Sequence, residues 1–279
     1  MLEDLMAKGS IRIYDYGIDR RRTMSSTGRC FPFYVMSYLS EGHAVLRLPD
    51  REIVQSPHSV IMIPANLKHD HVMLTEEESV FWWWHFDYKA YDSVDLLRLL
   101  HLPVVHTVGD AEEFETRFRQ YSDSMRLSDS LGTTLFRLAS MLEVLGYLLD
   151  DMTSTGMGQK ALESVPDVFL EILDEVTADD GEPFSLQVLA QRHSMHPTYV
   201  SNRFAHYFGI PPVKLRRSLT MKRAAEMLTD GKSVAEIAEL LGFSDASSFS
   251  RSFRSVMGSP PSAVKKSGGS SVPSALINL

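Results

Sequence analysis

A single cysteine, Cys30, stands among 279 residues, so no intramolecular disulfide can form and no cysteine pair has metal-site spacing. Such scarcity points to a reducing compartment. Nowhere does the chain approach the roughly 18 uninterrupted apolar residues of a membrane helix, since even Trp82-Trp83-Trp84 is closed by His85 and Asp87. The opening MLEDLMAKGS carries acids where a secretory leader carries bases, so a cytoplasmic location without a membrane partner is expected. Also lacking are a nucleophile elbow, a phosphate-binding glycine loop and a metalloprotease helix. Neither an enzymatic activity nor a cofactor is therefore expected.

Positive charge is scarce overall, with a net of −8, but it is not evenly scarce. Residues 184–279 hold 12 Lys+Arg against 5 Asp+Glu, a net of +7, which leaves −15 for the preceding 183 residues. Asymmetry of this kind suggests a basic nucleic-acid module joined to an acidic module with another task. The length also favours two domains over one.

From Phe31 to Tyr88 short runs rich in Val, Ile, Phe, Tyr and Trp alternate with turn signals every 8–12 residues or so. An antiparallel sandwich or small barrel is expected, with an interior able to hold a small ligand. Between Val94 and Met152 the period becomes helical. Phe114, Phe118 and Tyr121 share one face, and Leu131, Leu135, Leu138, Leu142, Leu145 and Leu149 form a second stripe. That stripe suits either packing on the barrel or a two-fold dimer contact.

Residues 153–166 are small, polar and glycine-containing, which marks a linker between a domain spanning 1–152 and another spanning 167–266. The Ser/Gly-rich tail, 267–279, is expected to be disordered. Asp167 to Val176 reads as an amphipathic helix broken by Asp179-Asp180-Gly181. Two units of one grammar follow. In the first, Leu186, Leu189 and Ala190 form a support helix; after a turn, Pro197 opens a helix buried through Val200, Phe204 and Phe208. Its outward residues are Thr198, Ser201, Asn202 and His206, with Arg203 at the flank. In the second, Val234, Ile237, Ala238 and Leu241 support a helix that Ser244 can cap and that buries Phe249, Phe253 and Val256. Ser247, Ser250, Arg251 and Arg254 point away. A helix fits the major groove, where Arg, Asn and Ser pair with base edges. Pro212 to Leu228, a single long helix, would hold the two reading helices about 34 Å apart, near one turn of DNA.

Ser233-Val234-Ala235-Glu236-Ile237-Ala238, Gly242-Phe243-Ser244-Asp245, Ser248-Phe249-Ser250-Arg251-Ser252-Phe253-Arg254, Gly258 and Pro260-Pro261 resemble the signature of AraC-type transcription regulators. The resemblance runs from about Phe184 to Lys266 and implies that the helices starting at Pro197 and Asp245 enter successive major grooves. His196 departs from the usual Ser, Leu215 from a common Tyr and Thr220 from a usual Arg. Ile63-Pro64-Ala65-Asn66-Leu67-Lys68-His69 and Trp84-His85-Phe86 are similar to pieces of the cupin-like sensor barrels attached to such regulators.

The expected architecture is thus an α+β two-domain chain: a cupin-like antiparallel β-barrel with flanking helices, then an all-α double helix-turn-helix domain. Trp82 and Trp84 share a strand face with Phe86, a platform suited to a sugar or another flat ligand, although a tryptophan strand is also core material. Arg29, His69, Trp82, Trp84 and His85 are the candidate ligand contacts, with Arg12 and Arg20 to Arg22 as further donors. His69-x-His71 followed by Glu76 looks like a cupin metal motif, but no upstream His-x-His pair completes it, so a hydrogen-bonded pair is the simpler reading and no metal is expected. Expected partners are a double-stranded DNA operator, a small-molecule effector, a second copy of the chain and, for an activator, RNA polymerase. Two alternatives stay open, a metal-dependent cupin enzyme fused to a DNA-binding module and a protein-interaction bundle that does not bind DNA.

Overall fold

The computed structural model describes residues 2–73, 78–100, 102–154, 165–178 and 184–266. Most of the expected linker, the break at Asp179-Asp180-Gly181, Glu76 and the tail from Ser267 lie outside these residues. The described residues form two compact units, one within 8–89 and 96–164 and the other within 1–7, 90–95 and 165–279. Residues 1–7 and 90–95, which the sequence places with the N-terminal domain, group with the second unit. No helix among the described residues is long and apolar enough to cross a membrane.

Apart from the two-residue β9 (Val94–Asp95), which falls in the second unit, the strands build the first unit: β1 (Gly9–Arg21), β2 (Ser25–Arg29), β3 (Tyr34–Glu41), β4 (Ala44–Arg47), β5 (Glu52–Gln55), β6 (Ser59–Ile63), β7 (His69–Met73), β8 (Ser79–Ala90) and β10 (Val105–Thr107). They form two sheets instead of one closed barrel. The larger runs β1-β8-β3-β6-β10, and the smaller runs β2-β7-β4-β5. The expected barrel is corrected on this point, because among the described residues no ladder joins the edges of the two sheets. Two strands also precede the expected start at Phe31, since β1 and β2 are polar and lack the apolar runs that mark the others.

Alternation on β3 and β8 assigns the faces. Val35, Leu46, Ile61 and Ile63 cluster between the sheets, as do Leu39, Ala44 and Phe81. The even-numbered residues Tyr38, Trp82 and Trp84 face the other way. There they meet α3 (Ala111–Ser124), which follows the short α2 (Leu96–Leu99). Asp110 caps α3 by accepting from the Glu113 N–H at 3.0 Å. Phe118 packs on Trp82 and Trp84 at ring separations of 5.4 and 5.3 Å, and Tyr121 meets Trp84 edge-on at 4.9 Å. The next helix, α4 (Leu131–Ser154), buries Met141, Val144, Leu145, Leu148 and Met152.

The leucine stripe expected on α4 therefore splits. Leu145 is buried, whereas Leu131, Leu135, Leu138 and Leu142 are 80, 60, 37 and 47% exposed. The leucines stay on one face at about 100° per residue, but the face that packs inward through Met141, Val144, Leu148 and Met152 is centred roughly a quarter turn away, so only Leu145 on the near edge is buried with it.

The second unit carries α1 (Leu2–Ala7), α5 (Asp167–Thr177), α6 (Leu186–Arg192), α7 (Pro197–Phe208), α8 (Pro212–Thr229), α9 (Val234–Leu240), α10 (Ala246–Met257) and α11 (Pro261–Lys266). Met221, Ala224 and Leu228 of α8, Ile237 and Ala238 of α9, and Phe249 and Phe253 of α10 make one core cluster.

Candidate nucleic-acid interface

The two helix-turn-helix units repeat at the level of single hydrogen bonds. After α6, His193 closes the helix and Ser194 takes a positive φ of 54°; after α9, Leu241 and Gly242, with φ 71°, do the same. The chain then reverses through one equivalent bond in each, Met195 N–H to Ala190 O and Phe243 N–H to Ala238 O, both 2.8 Å. These two alanines are buried, and a larger side chain at either would push the reading helix away.

The reading helices are capped by different chemistry. On α7 the cap is His196, whose Nδ1 accepts from the Thr198 N–H at 3.3 Å, ahead of Pro197. On α10 the cap is Asp245, which accepts from the Ser248 N–H at 2.7 Å and from the Ser248 hydroxyl at 2.9 Å. Those bonds, the backbone one first, hold its carboxyl below the usual carboxylate range. Ser244, expected as the cap, instead donates to Asp245 at 3.0 Å; the longer turn of the second unit shifts the cap by one residue. Both helices end in left-handed glycines, Gly209 (φ 77°) and Gly258 (φ 75°), where a side chain would strain the backbone.

Val200, Phe204 and Phe208 bury α7, and Phe249 and Phe253 bury α10, while Val256 is only half-buried. The predicted reading faces accordingly sit outside. Thr198, Asn202, Arg203 and His206 on α7 are exposed and Ser201 is half-buried; Ser247, Arg251 and Arg254 on α10 are exposed and Ser250 is half-buried. Ser250 spends its hydroxyl on Ala246 O at 2.7 Å. Arg251 reaches Ser248 Oγ at 3.1 Å, and Arg203 lies over the Tyr199 ring, 5.8 Å from its centroid. Tyr199, itself 48% exposed, adds an aromatic surface that sequence reasoning missed, although its spacing of three, four and seven residues from Asn202, Arg203 and His206 puts it on the outward stripe.

Several cations of α8 are engaged within the same unit. Arg216 donates to Val176 O in the last turn of α5 and to Ala178 O just after it, Arg217 donates to Ser252 Oγ at 3.2 Å, and Lys222 contacts Asp92 and Tyr91 O. They tie α8 to its surroundings, and the exposed basic groups of the unit lie on the reading helices at Arg203, Arg251 and Arg254 and beside them at Arg192, Lys214, Arg217 and Lys232.

In the first unit, a cavity of about 350 Å³ opens between the two sheets. Arg29 and His85, both candidate contacts, line it, together with Trp83, His71, Asp19 and Ser37. Trp82 and Trp84 lie on the opposite face of β8 against α3, and their indole N–H groups find no partner among the described residues. The aromatic side that the cavity does present is Trp83, whose N–H donates to Asp19 at 3.1 Å. His69 turns to Leu67 O at 2.9 Å and packs on Phe31. Burial pushes His69 and His85 below the usual imidazole range and His71 down to about 4, so all three are neutral at pH 7. Among the described residues no group of three or more His, Cys, Asp or Glu has the arrangement of a metal site.

Residues 189–267 match the family model of a helix-turn-helix domain. No curated protein matches the chain. Among solved structures it is similar to ToxT from Vibrio cholerae, at 12% identity over 91% of this chain and 98% of that one, with a TM-score of 0.35. It is also similar to the C-terminal domain of AraT, a response regulator from Geobacillus stearothermophilus (22% identity, 39% of this chain, 93% of that one, TM-score 0.35). A third is an AraC-type DNA-binding domain-containing transcriptional regulator from Chromobacterium violaceum (23% identity, 38% and 96%, TM-score 0.34).

Proposed function

We propose that this chain is a cytoplasmic, sequence-specific DNA-binding transcription regulator of the AraC type whose operator binding responds to a small molecule held between the sheets of its cupin-like first unit. The observation that carries the reading is the paired geometry of the second unit. Two turns with the same backbone bonds present two aromatic-backed helices, each with an exposed face of Arg with Ser, Thr or Asn. Base-edge recognition in the major groove asks for those donors and acceptors on a helix, and the net +7 of residues 184–279 supplies the sequence-independent attraction to phosphates.

Thr198, Ser201, Asn202, Arg203 and His206 are assigned to one half-site and Ser247, Ser250, Arg251 and Arg254 to the other. A second copy is assigned to the exposed Leu131, Leu135, Leu138 and Leu142 face of α4, because water contact at four leucines on one helical stripe is unfavourable. An activator would in addition touch RNA polymerase. The test is selection from a pool of random duplexes. Enrichment of a bipartite site with half-sites about 10 base pairs apart supports the reading, and recovery of sequences indistinguishable from the starting pool refutes it.

A further inference from the structure

The cavity between the two sheets carries two side chains whose needs the protein itself does not meet. Arg29 lies at the end of β2, half-buried, with the Phe31 ring 5.8 Å from its guanidinium carbon and no hydrogen-bond or ion-pair partner among the described residues. Two carboxylates near it are already engaged, and a third in the cavity lining, Asp15, accepts from the Tyr16 N–H at 3.0 Å. Asp19 pairs with Arg21 at 2.6 Å and accepts from the Trp83 indole, and Asp70 accepts from the Gly28 N–H at 2.6 Å. Desolvation, and after it the neighbouring Arg21, disfavour the charge that the Arg29 guanidinium keeps, and a bound anion would offset both.

His71 supplies the second unmet need, and its tautomer follows from the network around it. Gln55, fully buried, donates from Nε2 to Ser37 O at 2.8 Å and to Ser59 O at 3.1 Å. Its Oε1 therefore faces His71 Nε2, 3.1 Å away, and an oxygen there requires the imidazole to donate from that nitrogen. The proton of neutral His71 thus sits on Nε2, and Nδ1 is left as an acceptor with no donor among the described residues. His71 is 8% exposed and lines the cavity, which makes a molecule held there the candidate donor to Nδ1.

We infer that the cavity binds a small organic carboxylate that also carries a hydroxyl group, the carboxylate on the Arg29 guanidinium and the hydroxyl donating to His71 Nδ1. This rests on the reading of the cavity as the effector site, and it narrows that reading away from neutral sugars, which would leave Arg29 uncompensated. Phe81 and Trp83 give the ligand an apolar flank, and 350 Å³ suits a molecule at the small end of the ligand range.

The experiment is titration calorimetry on the full-length chain with 4-hydroxybenzoate, 3-hydroxybutyrate, benzoate, 4-hydroxybenzamide and arabinose. The two hydroxy acids are expected to bind, benzoate several-fold more weakly than 4-hydroxybenzoate, and the amide and the sugar at least tenfold more weakly. Arg29→Gln is expected to remove the preference for acid over amide without shifting the thermal unfolding of the free protein. An amide that matches its acid overturns the inference, as does absence of binding by both hydroxy acids up to about 1 mM or an unchanged acid affinity in Arg29→Gln. The acid-against-amide comparison on the unmodified chain stands even if the variant fails to fold. Operator binding measured in parallel separates the two claims. An acid that binds without changing operator affinity leaves the ligand assignment intact and refutes effector control, whereas a neutral compound that alone shifts operator affinity does the reverse.

Discussion

Replacing Arg251 and Arg254 with alanine tests the link between the exposed face of α10 and recognition. Both side chains are exposed, and Arg251 makes one surface contact, to Ser248 Oγ at 3.1 Å. Their removal leaves the Phe249 and Phe253 core untouched, so folding stability should move by no more than about 1 kcal/mol. Affinity should move far more. A bidentate Arg–guanine pair discriminates by about 1–3 kcal/mol, so each single variant is expected to lose roughly 5- to 150-fold on the selected duplex. Because the two arginines are one helical turn apart, the double variant should lose less than the product of the single losses. Fluorescence anisotropy with the selected duplex and with a scrambled one reads this directly. An arginine that reads bases loses discrimination at one base pair, whereas one that touches phosphate weakens both duplexes equally and lowers the salt slope by about one. Lys222→Ala is the control: that ammonium is committed to Asp92 and Tyr91 O, so specific affinity should change little. Specific binding of the double variant within twofold of the parent, with its fold intact, would refute the assignment of α10 to the groove.

Three further outcomes follow from the same geometry. Gly242→Ala places a side chain at φ 71° and should destabilise the helical unit by about 1 kcal/mol, whereas Ser194→Gly relieves the matching strain at φ 54°; thermal unfolding should show opposite signs. His71, held at about 4 by burial against an ordinary 6.5, makes stability fall as pH drops from 6.5 to 4, because in that window the unfolded chain takes the proton first. The loss totals about 3 kcal/mol and levels off below pH 4; urea unfolding should show a smaller pH slope for His71→Asn, the remainder coming from His69 and His85, which shift the same way. Leu135→Lys with Leu142→Lys should convert the proposed dimer to a monomer in sedimentation velocity without unfolding the chain, since both leucines are exposed in a single copy.

The helical unit was legible because its information is local. Apolar residues at helical spacing, Pro197 at a helix start, and glycines after Phe208 and Met257 specify where each helix begins, ends and buries itself. The exposed faces of α7 and α10 follow from those spacings alone. Tyr199 and the half-burial of Val256 escaped, and so did the position of the α10 cap, because Ser244 and Asp245 are both good caps and a one-residue difference in turn length decides between them. The cavity was less legible for a physical reason of another kind. Period two along β8 separates Trp82 and Trp84 from Trp83 and His85, but it does not say which set faces the second sheet.

What the amino-acid order determined by itself is the division into an acidic strand-rich part and a basic helical part, together with the repeat of reading helices in the latter. What only tertiary structure decided is which face of each strand and of α4 meets a partner. Phe114, Phe118 and Tyr121 of α3 cover the Trp82 and Trp84 side, which leaves Trp83, His85 and Arg29 to the cavity. Helix periodicity names a buried face from within one segment, whereas a strand in a two-sided sheet has two apolar faces, and the choice between them belongs to whatever packs against each.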